Sequence, residues 1–152
     1  MDDHSIAEQV LMEQQTLKHI REALRVTLNW ELARVGLSRK ISSVGFTAKS
    51  FQRHLERVLS LEEDGGYMEV VRDEMPNWYC KVETLRADHD RFRHQMQRII
   101  KQFHDLATND EVWFNGLCCE LKQLLEDLEE HERHETDLLQ DVLLVDVGGE
   151  NG

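Results

Sequence analysis

Proline and glycine are scarce in this chain. One proline, Pro76, and eight glycines in 152 residues leave few places where a helix must stop. Four of the glycines form the pairs Gly65-Gly66 and Gly148-Gly149. Strand-like alternation is nearly missing: the best stretch, Val142 to Val147, is too short to pair into a sheet alone. No apolar run approaches the ~20 residues a membrane helix needs. The N-terminus, Met1-Asp2-Asp3-His4, is acidic and unlike a secretory signal, so a cytoplasmic location is expected. The three cysteines, Cys80, Cys118 and Cys119, are odd in number and contain no CxxC pair. That excludes the usual patterns of a disulfide framework or a thiolate zinc site. Acidic residues outnumber basic ones, 30 to 18, for a net charge of −12. With no basic patch to offset this, neither nucleic acid nor an anionic membrane is expected as a partner.

Hydrophobic residues make up 40% and charged residues 32%, as in a folded domain. The length suits one domain over residues 1–147 with a disordered tail at 148–152. The breakers predict an all-α chain. A first helix runs from about Ser5 to Val35, with Ser5 as cap and Glu8 as its reciprocal partner. Gly36 to Gly45 ends it, and a second helix follows from about Phe46 to Asp64, stopped by Gly65-Gly66. Tyr67 to Glu74 is an extra turn before Pro76. The third helix spans about Asn77 to Ala107, Thr108-Asn109-Asp110 makes a turn, and the fourth spans about Glu111 to Val145. Each carries an apolar stripe of alternating three and four spacing, such as Leu117, Leu121, Leu124 and Leu128. Four such helices with short connections predict an up-down-up-down four-helix bundle.

Some stripe positions are not apolar. His131 and Glu135 continue the fourth stripe, Glu62 follows Leu55 and Val58, His89 lies between Leu85 and Phe92, and Gln14 lies between Val10 and Leu17. The pattern repeats. Leu55, Val58 and Glu62 have the spacing of Leu128, His131 and Glu135, and Glu13-Gln14 matches Asp88-His89. Helices one and two thus read as a copy of three and four, with Gln14 and Val58 standing where the second copy has histidine. The points midway along the chain between these inward groups fall at or beside predicted breaks, so all four helices should bring them to one layer. Buried carboxylates and imidazoles are costly unless they satisfy one another or bind a cation.

With these residues in view, the chain resembles the hemerythrin-like (HHE cation-binding) family. The resemblance rests on Glu13-Gln14-Gln15-Thr16-Leu17, the stretch from His54 to Glu63, Asp88-His89-Asp90-Arg91-Phe92, and His131-Glu132-Arg133-His134-Glu135. It implies a bundle of two helix pairs. In the family each pair gives a histidine and a histidine-carboxylate step to a pair of non-haem irons that bind dioxygen. His89, His131, Glu135 and Glu62 match ligand positions; Gln14 and Val58 do not, and Arg93 stands where oxygen carriers have another histidine. The resemblance therefore implies an incomplete set. It suits one or two iron ions, or zinc, with dioxygen or another small ligand at the metal, in sensing, storage or stress response and not in oxygen carriage. The alternative is a metal-free bundle acting through a protein partner. No substrate pocket is legible, so catalysis is not expected.

For His89 with His131, and for Glu62 and Glu135, the competing reading is a hydrogen-bonded core, with Arg21 as a partner for the carboxylates. His54, one turn before Val58, is a substitute ligand from a neighbouring layer. His19 and His94 are rotated away from the core, and His134 adjoins the stripe. One of Cys118 and Cys119 is expected in the core, and Trp30, Trp78 and Trp113 at helix ends.

Overall fold

The computed structural model describes residues 3–106 and 110–149, with side chains from 8 to 144 within them. It is all-α: α1 (Asp3–Leu28), α2 (Leu32–Val35), α3 (Leu37–Glu63), α4 (Tyr67–Glu74), a 3₁₀ turn (Pro76–Trp78), α5 (Tyr79–Asp105) and α6 (Glu111–Gly149). No strand occurs among the described residues, and none of their helices is long and apolar enough to cross a membrane. The long helix α1 packs on α3, α3 on α5, α5 on α6, and α6, least extensively, on α1.

Several boundaries differ from expectation. The first helix stops at Leu28, seven residues before the predicted end at Val35, and a single turn, α2, follows Asn29-Trp30. The helix α3 starts at Leu37, nine residues before the predicted Phe46. The true break is Gly36, whose φ of 83° suits glycine. Gly45 is an ordinary helical residue inside α3; a lone glycine costs a helix only about 1 kcal/mol, which packing overrides. At the N-terminus α1 begins at Asp3, so Ser5 lies within the helix and is not its cap. The side chains of Ser5 and Ile6 lie outside the described residues, as does the predicted turn at Thr108-Asn109. Asp110 does cap α6: its Oδ1 accepts the Trp113 N–H at 3.1 Å. The helix α6 continues to Gly149, past the predicted end at Val145; residues 150–152 of the predicted tail lie outside the described residues.

Two apolar clusters form the interior. The larger unites Leu17, Leu24, Val44, Phe51, Leu55, Phe92, Phe103, Phe114, Leu121 and Leu128 with their neighbours. The smaller joins Met68, Val71, Val82, Leu85, Leu138 and Val142. Along each of α5 and α6 the chain passes from one cluster to the other through a polar position: Leu85, His89, Phe92 on α5, and Leu128, His131, Glu135, Leu138 on α6. A polar layer is therefore sealed above and below by hydrocarbon.

The turn after α3 is tightly specified. Gly65 has a φ of 73°. Gly66 has ordinary dihedrals, but a Cβ there would stand 2.2 Å from the Leu61 carbonyl oxygen and 2.4 Å from that of Glu62. Gly66→Ala must displace the backbone that carries Glu62. An expected loss of about 1–3 kcal/mol, the usual cost of overpacking, is measurable by urea denaturation; an unchanged midpoint would show that the turn yields freely.

Among the cysteines, Cys118 is buried, while Cys80 and Cys119 are exposed. Burial pushes the Cys118 thiol up to about 11, so it is a core thiol and not a reactive one.

Candidate metal centre

Glu62 of α3, His89 of α5, and His131 and Glu135 of α6 are all buried. Each offers one donor atom, and these atoms lie within 4.8 Å of one another. His131 and Glu135 are four apart on one helix, which puts both on the same face. The Nε2 atoms of His89 and His131 are 3.1 Å apart. Glu62 Oε2 lies 3.2 Å from His89 Nε2, and Glu135 Oε1 lies 3.0 Å from His131 Nε2. For comparison, ligand atoms about 2.0–2.1 Å from one tetrahedral ion stand roughly 3.3 Å apart.

The outer partners fix which ring nitrogens face inward. His89 Nδ1 donates to Glu63 Oε2 at 3.0 Å, and His131 Nδ1 donates to Asp88 Oδ2 at 3.0 Å. Glu63 is itself clamped by Arg93, whose two terminal nitrogens reach its two oxygens at 2.6 and 2.8 Å. Burial would raise the Glu63 carboxyl, but Arg93 and His89 outweigh it and hold it below the usual range. With its Nδ1–H committed to a carboxylate, each imidazole in its neutral form turns a bare lone pair on Nε2 inward. Two such lone pairs and two carboxylate oxygens then converge on one point, an arrangement that repels itself unless protons or a cation enter. Carboxylate–histidine pairs of this kind also orient the rings of metal-bound imidazoles.

The electrostatics report the same conflict. Burial, followed by the neighbouring Glu135 charge, raises Glu62 well above the ordinary carboxylate value. Glu62 Oε2 is buried with no hydrogen-bond partner. Glu135 is held low against its own burial by bonds from His131, Glu62 and Tyr67. Burial lowers His89 and outweighs its bond to Glu63. His131 is raised, since its bonds to Glu135 and Asp88 exceed the cost of burial. The Tyr67 hydroxyl, delivered by α4, donates to Glu135 Oε2, and the edge of Phe92 packs on the His131 ring.

None of the four is a described residue of α1. Gln14, expected to point inward, is exposed; its amide reaches Glu62, whose carboxyl it helps to hold down. Val58 is buried and apolar. On this side, toward α1, a cleft of about 460 Å³ reaches the centre, lined by Gln14, Val58, Glu62, Tyr67, His131 and Glu135 among others. Arg21 does not meet Glu62 or Glu135 as anticipated. It is tied through both terminal nitrogens to Glu132, with Glu129 nearby at 3.9 Å; it stands about two turns along α1 from Gln14. His54 is not a substitute ligand: its Nδ1 faces Glu13 Oε2 at 3.5 Å, outside the cluster. His19, His94 and His134 are exposed.

Glu63, Asp88, Arg93 and Tyr67 were not singled out as outer partners by sequence reasoning. Asp88 was visible as the acid before an inward histidine. Glu63 is off the stripe by one residue, and Tyr67 lies on another helix, so periodicity carries no signal for either. No family model matches the chain, and neither a curated protein nor a solved structure is found to be significantly similar to it.

Proposed function

We propose that this chain is a hemerythrin-like four-helix bundle that binds a single divalent metal ion through Glu62, His89, His131 and Glu135. The observation that carries the reading is the pair of inward Nε2 atoms 3.1 Å apart, each with its Nδ1 already committed to a carboxylate. Two imidazoles with two carboxylates suit iron(II) or zinc, and iron is the metal the resemblance favours. Bound there, the metal supplies a coordination position on the α1 side for dioxygen or another small ligand. Sensing, storage or a stress response fits one such centre better than oxygen carriage by an iron pair.

The chain's own residues do the positioning. Asp88 and Glu63 hold the two rings with Nε2 inward, Arg93 keeps Glu63 ionised, and Tyr67 steadies Glu135. The test is metal content after expression with iron or zinc and purification without chelator. About one ion per chain is expected for this ligand number; none, with thermal stability unchanged by added iron or zinc, would overturn the reading. In a second test, Glu63→Gln replaces the charged acceptor on His89 Nδ1 with a neutral amide. Metal affinity should fall about 10–100-fold while the fold is kept, as read by competition against a chromogenic chelator.

A second reading, a metal-free bundle acting through a protein partner, is favoured by the exposed Phe46, Val112 and Trp113, large apolar groups that a partner could cover. It predicts no metal uptake.

A further inference from the structure

The cleft on the α1 side is far larger than a diatomic ligand needs. At about 460 Å³ it falls in the size range of pockets for small organic molecules, whereas a water molecule takes about 30 Å³. Its walls divide by chemistry. Leu17, Val58, Leu59 and Leu128 give it an apolar body, and Glu62, His131 and Glu135 of the metal-facing group also line it. So do Arg21, Lys18 and the Glu132 that pairs with Arg21. Arg21 is buried, 6% exposed. Its terminal nitrogens are satisfied by Glu132, but its Nε–H is buried with no hydrogen-bond partner. A buried donor left unmade is costly, and this one belongs to a residue of the cleft wall.

We infer that the cleft is a binding site for a small organic acid, a carboxylate on a short apolar body. The proposal rests on the metal reading above, since Glu62, His131 and Glu135 line the same cleft. An oxyanion is the group that both a Lewis-acidic metal and a charged, unpartnered N–H accept. The leucine and valine walls accept hydrocarbon and disfavour a fully polar metabolite. Two substitutions made this room. Gln14 and Val58 stand at the positions where the second half of the repeat has histidine, and neither extends an imidazole into the space. The net charge of −12 slows the approach of any anion, so Lys18 at this wall matters for entry.

The experiment uses the full chain loaded with cobalt(II), whose visible bands report on its coordination, with cobalt per chain measured in parallel. Hexanoate should change the bands saturably. It should bind at least about tenfold more tightly than acetate, because its hydrocarbon is buried in the cleft. Val58→Phe, which narrows the cleft and leaves all four metal-facing residues in place, should keep its cobalt and lose the hexanoate response. Arg21→Leu should weaken hexanoate about tenfold or more by removing a charged donor, with the folded signal checked by circular dichroism. Stoichiometric cobalt with no hexanoate response, or with acetate bound as tightly as hexanoate, would overturn the organic-acid site and leave the metal reading standing. No cobalt uptake would overturn both.

Discussion

His131→Ala should leave the protein without its metal and markedly less stable. His131, like His89, meets three partners: its Nε2 meets both His89 and Glu135, and its Nδ1 meets Asp88. Removing the ring deletes one of the inward nitrogens and frees Asp88 from its orienting role. Affinity should fall by more than the about 10–100-fold that follows loss of an outer partner. The metal-free protein suffers as well. Glu135 keeps its charge in the interior chiefly because His131 bonds to it; without that bond it faces the buried Glu62 carboxyl with the Tyr67 hydroxyl as its remaining outside donor. Breaking one side of a buried ion pair costs about 3–5 kcal/mol. Metal analysis and chemical denaturation of the same samples check both halves. A folded variant that retains stoichiometric metal would remove His131 from the ligand set.

Restoring the lost half of the repeat should raise metal content. In the double variant Gln14→His and Val58→His, each new imidazole occupies the position that His89 and His131 hold in the second half. The surroundings are prepared for them. The cleft beside Gln14 and Val58 offers about 460 Å³, so a ring at 58 need not overpack the core. Glu13 occupies the place corresponding to Asp88, which orients His131. Its Oε2 is buried with no hydrogen-bond partner and lies 3.5 Å from the equally unpartnered His54 Nδ1. A histidine at 58 would give that carboxylate the role Asp88 already performs. Metal per chain should rise from about one to about two, since four imidazoles and the bridging carboxylates then suffice for a pair. An unchanged stoichiometry in a well-folded double variant would show that the two halves are not equivalent in space.

Much of the arrangement was legible in the chain because helical periodicity is a one-dimensional signal. Glu62, His89, His131 and Glu135 interrupt apolar stripes in phase, and a stripe position is a buried position whatever residue fills it. The same rule failed for Gln14. It has the right phase, but α1 packs least closely against α6, so a long amide there reaches solvent beside Glu62. A break at Gly36 was foreseen, but the end of α1 at Leu28 and the start of α3 at Leu37 were misplaced; a glycine permits a turn without requiring one, and Gly45 sits within α3 at little cost. Arg21 was paired with the wrong carboxylates because a guanidinium can reach several residues along a neighbouring helix, and spacing alone does not select among them.

By itself the sequence determined the helical class, the polar layer and the identity of four inward side chains, since period and phase are properties of a single helix. Only the tertiary structure decided that the layer lies between two apolar clusters, that Glu63, Arg93, Asp88 and Tyr67 hold its members in place, and that the α1 side opens into a cleft. Those facts depend on how separate helices meet, and the reach and direction of a side chain across that gap are not encoded in any one segment's periodicity.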